Sequence, residues 1–103
     1  MKIVGITACT AGIAHTYIAK EKLEKAAIRA GDDVKIETQG SIGVENELSS
    51  EEIKQADVVV IATDISVSRD RFKGKKVIEI PISLVMKSPE GVIKKIHEKL
   101  VKG

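Results

Sequence analysis

The chain holds one cysteine, Cys9, which opens the stretch Cys9-Thr10-Ala11-Gly12-Ile13-Ala14-His15-Thr16. A short glycine-bearing turn that runs into a helix leaves several backbone N–H groups without intrahelical partners, all aimed one way. The helix dipole adds partial positive charge at the same place, and together these make an anion site. Apart from His15 the stretch has no side-chain cation, so main-chain donors must carry most of the work of holding an anion. Cys9 lies in the same field. Helix N-termini lower a thiol's pKa below its usual value of about 8.5, and the thiolate is the nucleophile. The donors that favour S⁻ also suit the oxygens of a thiophosphate. The chemistry indicated is transient attachment of a phosphoryl group to Cys9. The backbone of Thr10, Ala11, Gly12, Ile13, Ala14 and His15 forms the cradle, and the His15 and Thr16 side chains are further donors.

Each of these residues also has a plainer reading. A lone cysteine is often a small buried hydrophobe. Gly12 serves a tight turn, His15 fits a first-turn position bonded to a carbonyl, and Thr16 satisfies a local backbone group. His97 reads as a surface residue of the last helix rather than a catalyst. The spacing discriminates further. Cysteine-dependent phosphatases place an arginine after five intervening residues, then Ser or Thr, and that arginine clamps the phosphoryl group bidentately. Here five residues separate Cys9 from His15, and Thr16 follows. Imidazole has no such fork. A cradle lacking the strongest hydrolytic stabiliser suits a carrier that must not lose its phosphoryl group to water. The rivals are a small cysteine phosphatase and a non-catalytic regulatory domain of the same fold. Asp64 is the candidate acid for a phosphatase, although capping the segment after it explains that residue more simply.

The elements that must position Cys9 follow from pattern. Ile3 to Ala8 is a short apolar run with β-branched residues, a buried strand. A helix begins near Ile13 or Ala14, with apolar positions Ile18, Ala19, Leu23, Ala26, Ala27 and Ala30 at helical spacing. Gly31 stands where a left-handed C-terminal cap belongs. Val34 to Thr38 alternates as an edge strand with one wetter face, and 39–43 reads as a glycine-bearing loop. Ser49 and Glu52 form a capping box that opens a helix over Ser50 to Gln55. Asp57 to Ala62 is the strongest strand, continuous enough to be central. Ser68 to Phe72 reads as a short helix and Lys76 to Ile80 as the fourth strand. Ser88-Pro89 starts a last helix through Val92, Ile93, Ile96 and Leu100. This β-α alternation implies an α/β fold, a parallel sheet with helices on both faces. In such sheets ligands bind outside the carboxyl ends of the strands where strand order reverses. The loop carrying Cys9 belongs there, and Gln39, Gly40 and Ser41 after the second strand form the rim beside it.

Composition bounds the rest. The chain has 103 residues, 43% hydrophobic and 31% charged, with a net charge of +2. That length suits one domain over 1–103. The charge is small, the lysines are scattered, and only Tyr17 and Phe72 are aromatic, which argues against a nucleic-acid partner. One cysteine allows no internal disulfide and no cysteine-based zinc cluster, and it fits a reducing, cytoplasmic setting. No metal or other cofactor is indicated. No apolar run approaches the roughly 18 residues of a membrane span, and no signal peptide is evident. Lys102-Gly103 reads as a natural stop of a free domain.

Cys9-Thr10-Ala11-Gly12-Ile13-Ala14-His15-Thr16 resembles the phosphocysteine loop of fructose-type IIB components of the bacterial sugar phosphotransferase system. So do the stretches Glu37-Thr38-Gln39-Gly40-Ser41-Ile42-Gly43, Glu45-Asn46-Glu47-Leu48, Ala56-Asp57-Val58-Val59 and Ala62-Thr63-Asp64-Ile65. The resemblance implies a phosphotransferase in a Rossmann-like three-layer sandwich, with a four-stranded parallel sheet in the order 2-1-3-4. It implies that a phosphohistidine of a IIA partner donates to Cys9. The phosphocysteine then donates to a sugar, fructose in this subfamily, bound by a membrane IIC partner. The chain would thus meet the inner face of the membrane through IIC without inserting into it. The family loop usually begins Cys-Pro-Thr-Gly. Here Thr10 restores an N–H that proline lacks, and Ala11 removes a hydroxyl that would face the phosphate or the donor.

Overall fold

The computed structural model describes residues 1–8, 13–40, 43–63 and 70–102, with side chains at most of them. In chain order the elements are β1 (Lys2–Ala8), α1 (Ile13–Arg29), β2 (Asp33–Gly40), β3 (Gly43–Glu45), α2 (Ser50–Gln55) and β4 (Val58–Thr63). A 3₁₀ turn (Asp70–Phe72), β5 (Val77–Ile80), α3 (Ile82–Lys87) and α4 (Pro89–Lys102) complete the fold. The five strands form one sheet in the order β3-β2-β1-β4-β5. β1 runs parallel to both β2 and β4, β4 is parallel to β5, and only β3 is antiparallel, to β2. The four parallel strands keep the expected order. The fifth, β3, lies where the sequence pattern suggests a loop.

That difference changes the reading of β2. The strand runs on through Gln39 and Gly40, and Thr38, Gln39 and Gly40 pair with Glu45, Val44 and Gly43. Two glycines at the paired ends hide the hairpin from a propensity reading, because they carry no β-branched signal. Over these residues β2 is not an edge strand. Its wetter face is also covered, since Glu37 is buried.

Two apolar layers sandwich the sheet. Ile3, Ile36, Val58, Val60, Ala62, Ile78 and Ile80 face α1, α3 and α4 through Ala19, Leu23, Ala27, Val85, Val92 and Ile96. Val4, Ile6, Val59 and Ile61 face Leu48, Ile53, Ala56 and Phe72. Period-two alternation along β1 and β4 thus sends each strand's side chains to both layers. Gly5 sits at the tightest point. A Cβ there would lie 2.9 Å from Ile36 Cδ1 and 3.0 Å from the Val60 carbonyl oxygen, and a backbone carbonyl cannot move aside.

Local signals set the ends of several elements. Gly31 has φ +84°. The Gly31 N–H donates to Ile28 O at 3.0 Å and the Asp32 N–H to Ala27 O at 2.9 Å, a Schellman closure of α1. Ser49 and Glu52 form the full reciprocal capping box. The α1 stripe is corrected in one respect. Ile18 is 41% exposed and Ala30 is exposed, while Thr16 is buried. Positions 16, 19, 23, 26 and 27 share one helix face, and Ile18 lies about 100° from Ala19 on it. The expected helix from Ser68 is a 3₁₀ turn from Asp70; Ser68 itself lies outside the described residues. α3 follows Pro81, whose extended backbone caps it with no side-chain bond, so no capping residue announces it in the sequence. No described helix is long and apolar enough to cross a membrane.

Candidate phosphoryl site

β1 lies between β2 and β4. The chain moves to β2 on one side and later returns to β4 on the other, so strand order reverses at the carboxyl end of β1. Ala8, its last residue, is in register with Gln39 of β2 and Thr63 of β4. Cys9 is joined directly to Ala8. Cys9, Thr10, Ala11 and Gly12 lie outside the described residues, as do Ser41 and Asp64; for Ile13, Ala14 and His15 the backbone opens α1. Four residues therefore link the central strand to a helix 17 residues long.

The N-terminus of α1 has no acidic side chain in its first turn. Its dipole is thus not neutralised by the helix's own side chains, the arrangement that favours an external anion. Thr16 is 2% exposed, and its Oγ1 is buried with no hydrogen-bond partner among the described residues. The Thr16 carbonyl accepts from Thr7 Oγ1 at 3.3 Å, which ties the end of β1 to the start of α1. A buried hydroxyl left unpaired costs free energy of roughly 1–3 kcal/mol. So close to a helix N-terminus with no acidic side chain in its first turn, an anion's oxygen is a suitable partner.

The second side of the site is built on Glu37, which sequence reading treated only as part of a motif. Its side chain is 1% exposed. Oε1 accepts from Arg71 Nη1 at 2.9 Å and from the Leu48 N–H at 2.9 Å. Oε2 accepts from Arg71 Nη2 at 2.9 Å and from Gln39 Nε2 at 2.7 Å. Burial pushes this carboxyl's pKa up, but the bonds from Arg71, Gln39 and Leu48 outweigh it and hold the group below the ordinary carboxylate range. Arg71 is raised in turn, first by its hydrogen bonds to Glu37. Its guanidinium also stacks 5.2 Å from the Phe72 ring centre. One carboxylate thus joins β2, the β3–α2 connection and the 3₁₀ turn. Arg71 commits both terminal nitrogens to Glu37, so it is not a free fork of the phosphatase kind.

A further tie crosses the opposite face. The Tyr17 hydroxyl donates to Glu45 Oε1 at 2.5 Å, linking α1 to β3, and that bond raises the phenol's pKa. Of the predicted rim, Gln39 and Gly40 are strand residues rather than turn residues, and Gln39 is half-buried. Glu37, Arg71 and the Tyr17–Glu45 pair escaped sequence reading. An acidic residue inside an otherwise alternating strand was the one available sign for Glu37, and nothing local marks Arg71, 34 residues away. A cavity of about 420 Å³ opens at the carboxyl ends of β4 and β5, bordered by Thr63, Glu79 and Ser83. His97 lies at the other end of the sheet: its Nε2 is 2.6 Å from Asp32 Oδ2, the residue just before β2.

The sequence model of the family described as "PTS system, Lactose/Cellobiose specific IIB subunit" matches residues 4–95. The chain is 46% identical over 100 residues to the PTS system fructose-like EIIB component 2 of Escherichia coli K12, covering 96% of this chain and 94% of that protein. It is 39% identical over 94 residues to the fructose-specific EIIABC component of Bacillus subtilis, covering 91% of this chain and 15% of that protein. The solution structure of an Enzyme IIB subunit of the PTS system from Escherichia coli K12 superposes with a TM-score of 0.90 at 36% identity, over 98% of this chain and 94% of that one.

Proposed function

The chain belongs to the IIB family of the sugar phosphotransferase system, whose members are phosphotransferases acting in sugar uptake, and from that premise we propose that Cys9 carries the phosphoryl group. In the first transfer the thiolate attacks the phosphorus of a phosphohistidine on a IIA partner, the S–P bond forms and the N–P bond breaks. In the second, a sugar held by a membrane IIC partner takes the phosphoryl group and Cys9 is freed. The backbone donors of Thr10 to His15 hold the phosphoryl oxygens in both states, with Thr16 and His15 as side-chain donors. Phosphoryl transfer needs little beyond such positioning and charge stabilisation.

The observation that carries this reading is the N-terminus of α1, with no acidic side chain in its first turn and a buried Thr16 hydroxyl that has no partner among the described residues, at the carboxyl end of the central strand to which Cys9 is joined. Relatives that unite A, B and C components in one chain, such as that of Bacillus subtilis, favour IIA and IIC partners and work at the inner face of the membrane. Fructose or a fructose-like sugar is the proposed acceptor, following the names of the relatives rather than that of the family model. Gln39, Gly40 and Ser41 form the rim that the partners meet. The test is incubation with a phosphorylated IIA protein. The chain should gain the mass of one phosphoryl group, and Cys9→Ser should gain none. Steady hydrolysis of an aryl phosphate by the purified chain would favour a phosphatase instead.

A further inference from the structure

The bonding of Glu37 determines how Gln39 faces the site. An ionised carboxylate only accepts hydrogen bonds, so the part of the Gln39 amide 2.7 Å from Glu37 Oε2 must be its NH₂ group. The other lone-pair directions of Glu37 are taken by Arg71 and Leu48, which keeps the carboxylate from turning. The Gln39 carbonyl oxygen is therefore directed away from Glu37. Reversing the amide would set acceptor against acceptor in an enclosed place. Gln39 is half-buried. It stands in register with Ala8 on one side and with Val44, 51% exposed, on the other. β2 thus carries a fixed acceptor in register with Ala8, the residue that precedes Cys9 in the chain.

A fixed carbonyl repels phosphoryl oxygens and attracts a hydroxyl. In the first transfer the nucleophile is a thiolate, which has no proton to offer it. In the second the nucleophile is a hydroxyl, whose proton must point away from phosphorus so that a lone pair faces it. We propose that Gln39 Oε1 accepts from the attacking sugar hydroxyl and so orients it toward the phosphocysteine, and that Glu37 and Arg71 are positioning residues which hold the Gln39 amide for that task. The inference rests on the carrier reading of Cys9. In the step, the O–P bond forms and the S–P bond breaks. The Cys9 sulfur keeps the electron pair, and the hydroxyl proton goes to water. The amide takes up no proton; it directs the nucleophile, as glutamine side chains do for attacking water in other phosphoryl transfers.

The two transfers separate the roles. The intact chain is loaded from a phosphorylated IIA protein, then discharged by fructose in the presence of membrane vesicles bearing a IIC protein. Gln39→Met keeps the volume and removes the acceptor. Because Gln39 lies on the rim that both partners meet, the readout is the ratio of the two rates: discharge should fall roughly tenfold further than loading, the effect of one lost hydrogen bond in a transition state. Glu37→Gln lets the Gln39 amide turn either way, and discharge should fall several-fold further than loading. Discharge of Gln39→Met at the unaltered rate overturns the inference, as does an equal fall in loading and discharge. If the unaltered chain takes no phosphoryl group at all, the carrier reading itself fails.

Discussion

The two ends of the sheet are each organised by an enclosed carboxylate, yet they are built for different ends. At the amino end Asp32, its side chain 2% exposed, faces His97 at 2.6 Å and the N-terminal amine at 3.5 Å. Nearby the Lys2 N–H donates to Asp57 Oδ2 at 2.7 Å, and Lys2 Nζ to Gln55 Oε1 at 3.0 Å. These bonds fasten the first residues and the last helix to the strands, and each polar group named finds a protein partner. At the carboxyl end Glu37 has four donors, but a buried Thr16 hydroxyl has none among the described residues. At the amino end the named polar groups bond to one another. The carboxyl end is held by Glu37 and keeps one buried hydroxyl without a partner among the described residues, as expected where local stability yields to function.

Substitutions should break this contrast in a graded way. Arg71→Met leaves the Glu37 carboxylate enclosed without its counter-ion. Stranding a buried charge costs about 3–5 kcal/mol; because the Arg71 side chain is 35% exposed, solvent screening reduces the expected loss to about 2–3 kcal/mol. Denaturant unfolding would measure it. A loss below that of Asp32→Asn would reverse the ranking of the two ends. Asp32→Asn keeps the shape and one acceptor, and should cost about 1–2 kcal/mol without slowing the loading of Cys9.

Thr16→Val sharpens the same comparison from the other direction. It replaces a buried hydroxyl that has no partner among the described residues with a methyl group of nearly the same shape. Stability should hold or rise by up to ~1 kcal/mol, while loading of Cys9 slows several-fold. A clear loss of stability with normal loading would mean that the hydroxyl serves packing alone. The smallest effect concerns Glu52, whose carboxyl is lowered to about 2, first by its hydrogen bond from Lys35 and then by the Ser49 N–H. A depressed carboxyl contributes stability that is full above its ordinary 4.5 and is lost as the pH falls through about 2. Lys35→Met should move the Glu52 midpoint back toward 4.5 in an NMR titration, leaving loading unchanged.

Much of the frame was legible because its causes are local. Gly31 marks the end of α1, Ser49 and Glu52 the start of α2, and Pro89 the start of α4. The apolar runs of β1 and β4 announce central strands. Two elements were not legible for local reasons too: β3 begins at a glycine and has three residues, and α3 has six and no side-chain cap.

What the amino-acid order settled alone is the α/β alternation and the place of Cys9, four residues ahead of a helix and directly after a buried strand. Those follow from periodicity, chain connectivity and caps, each confined to a few neighbouring residues. Only the tertiary fold decided that Glu37 meets Arg71 and Leu48, that Tyr17 reaches Glu45, and that His97 closes on Asp32. These partners lie 11 to 65 residues apart, and a charge's partner across such a distance is selected by which surfaces the packed sheet brings together, a choice that no local pattern encodes.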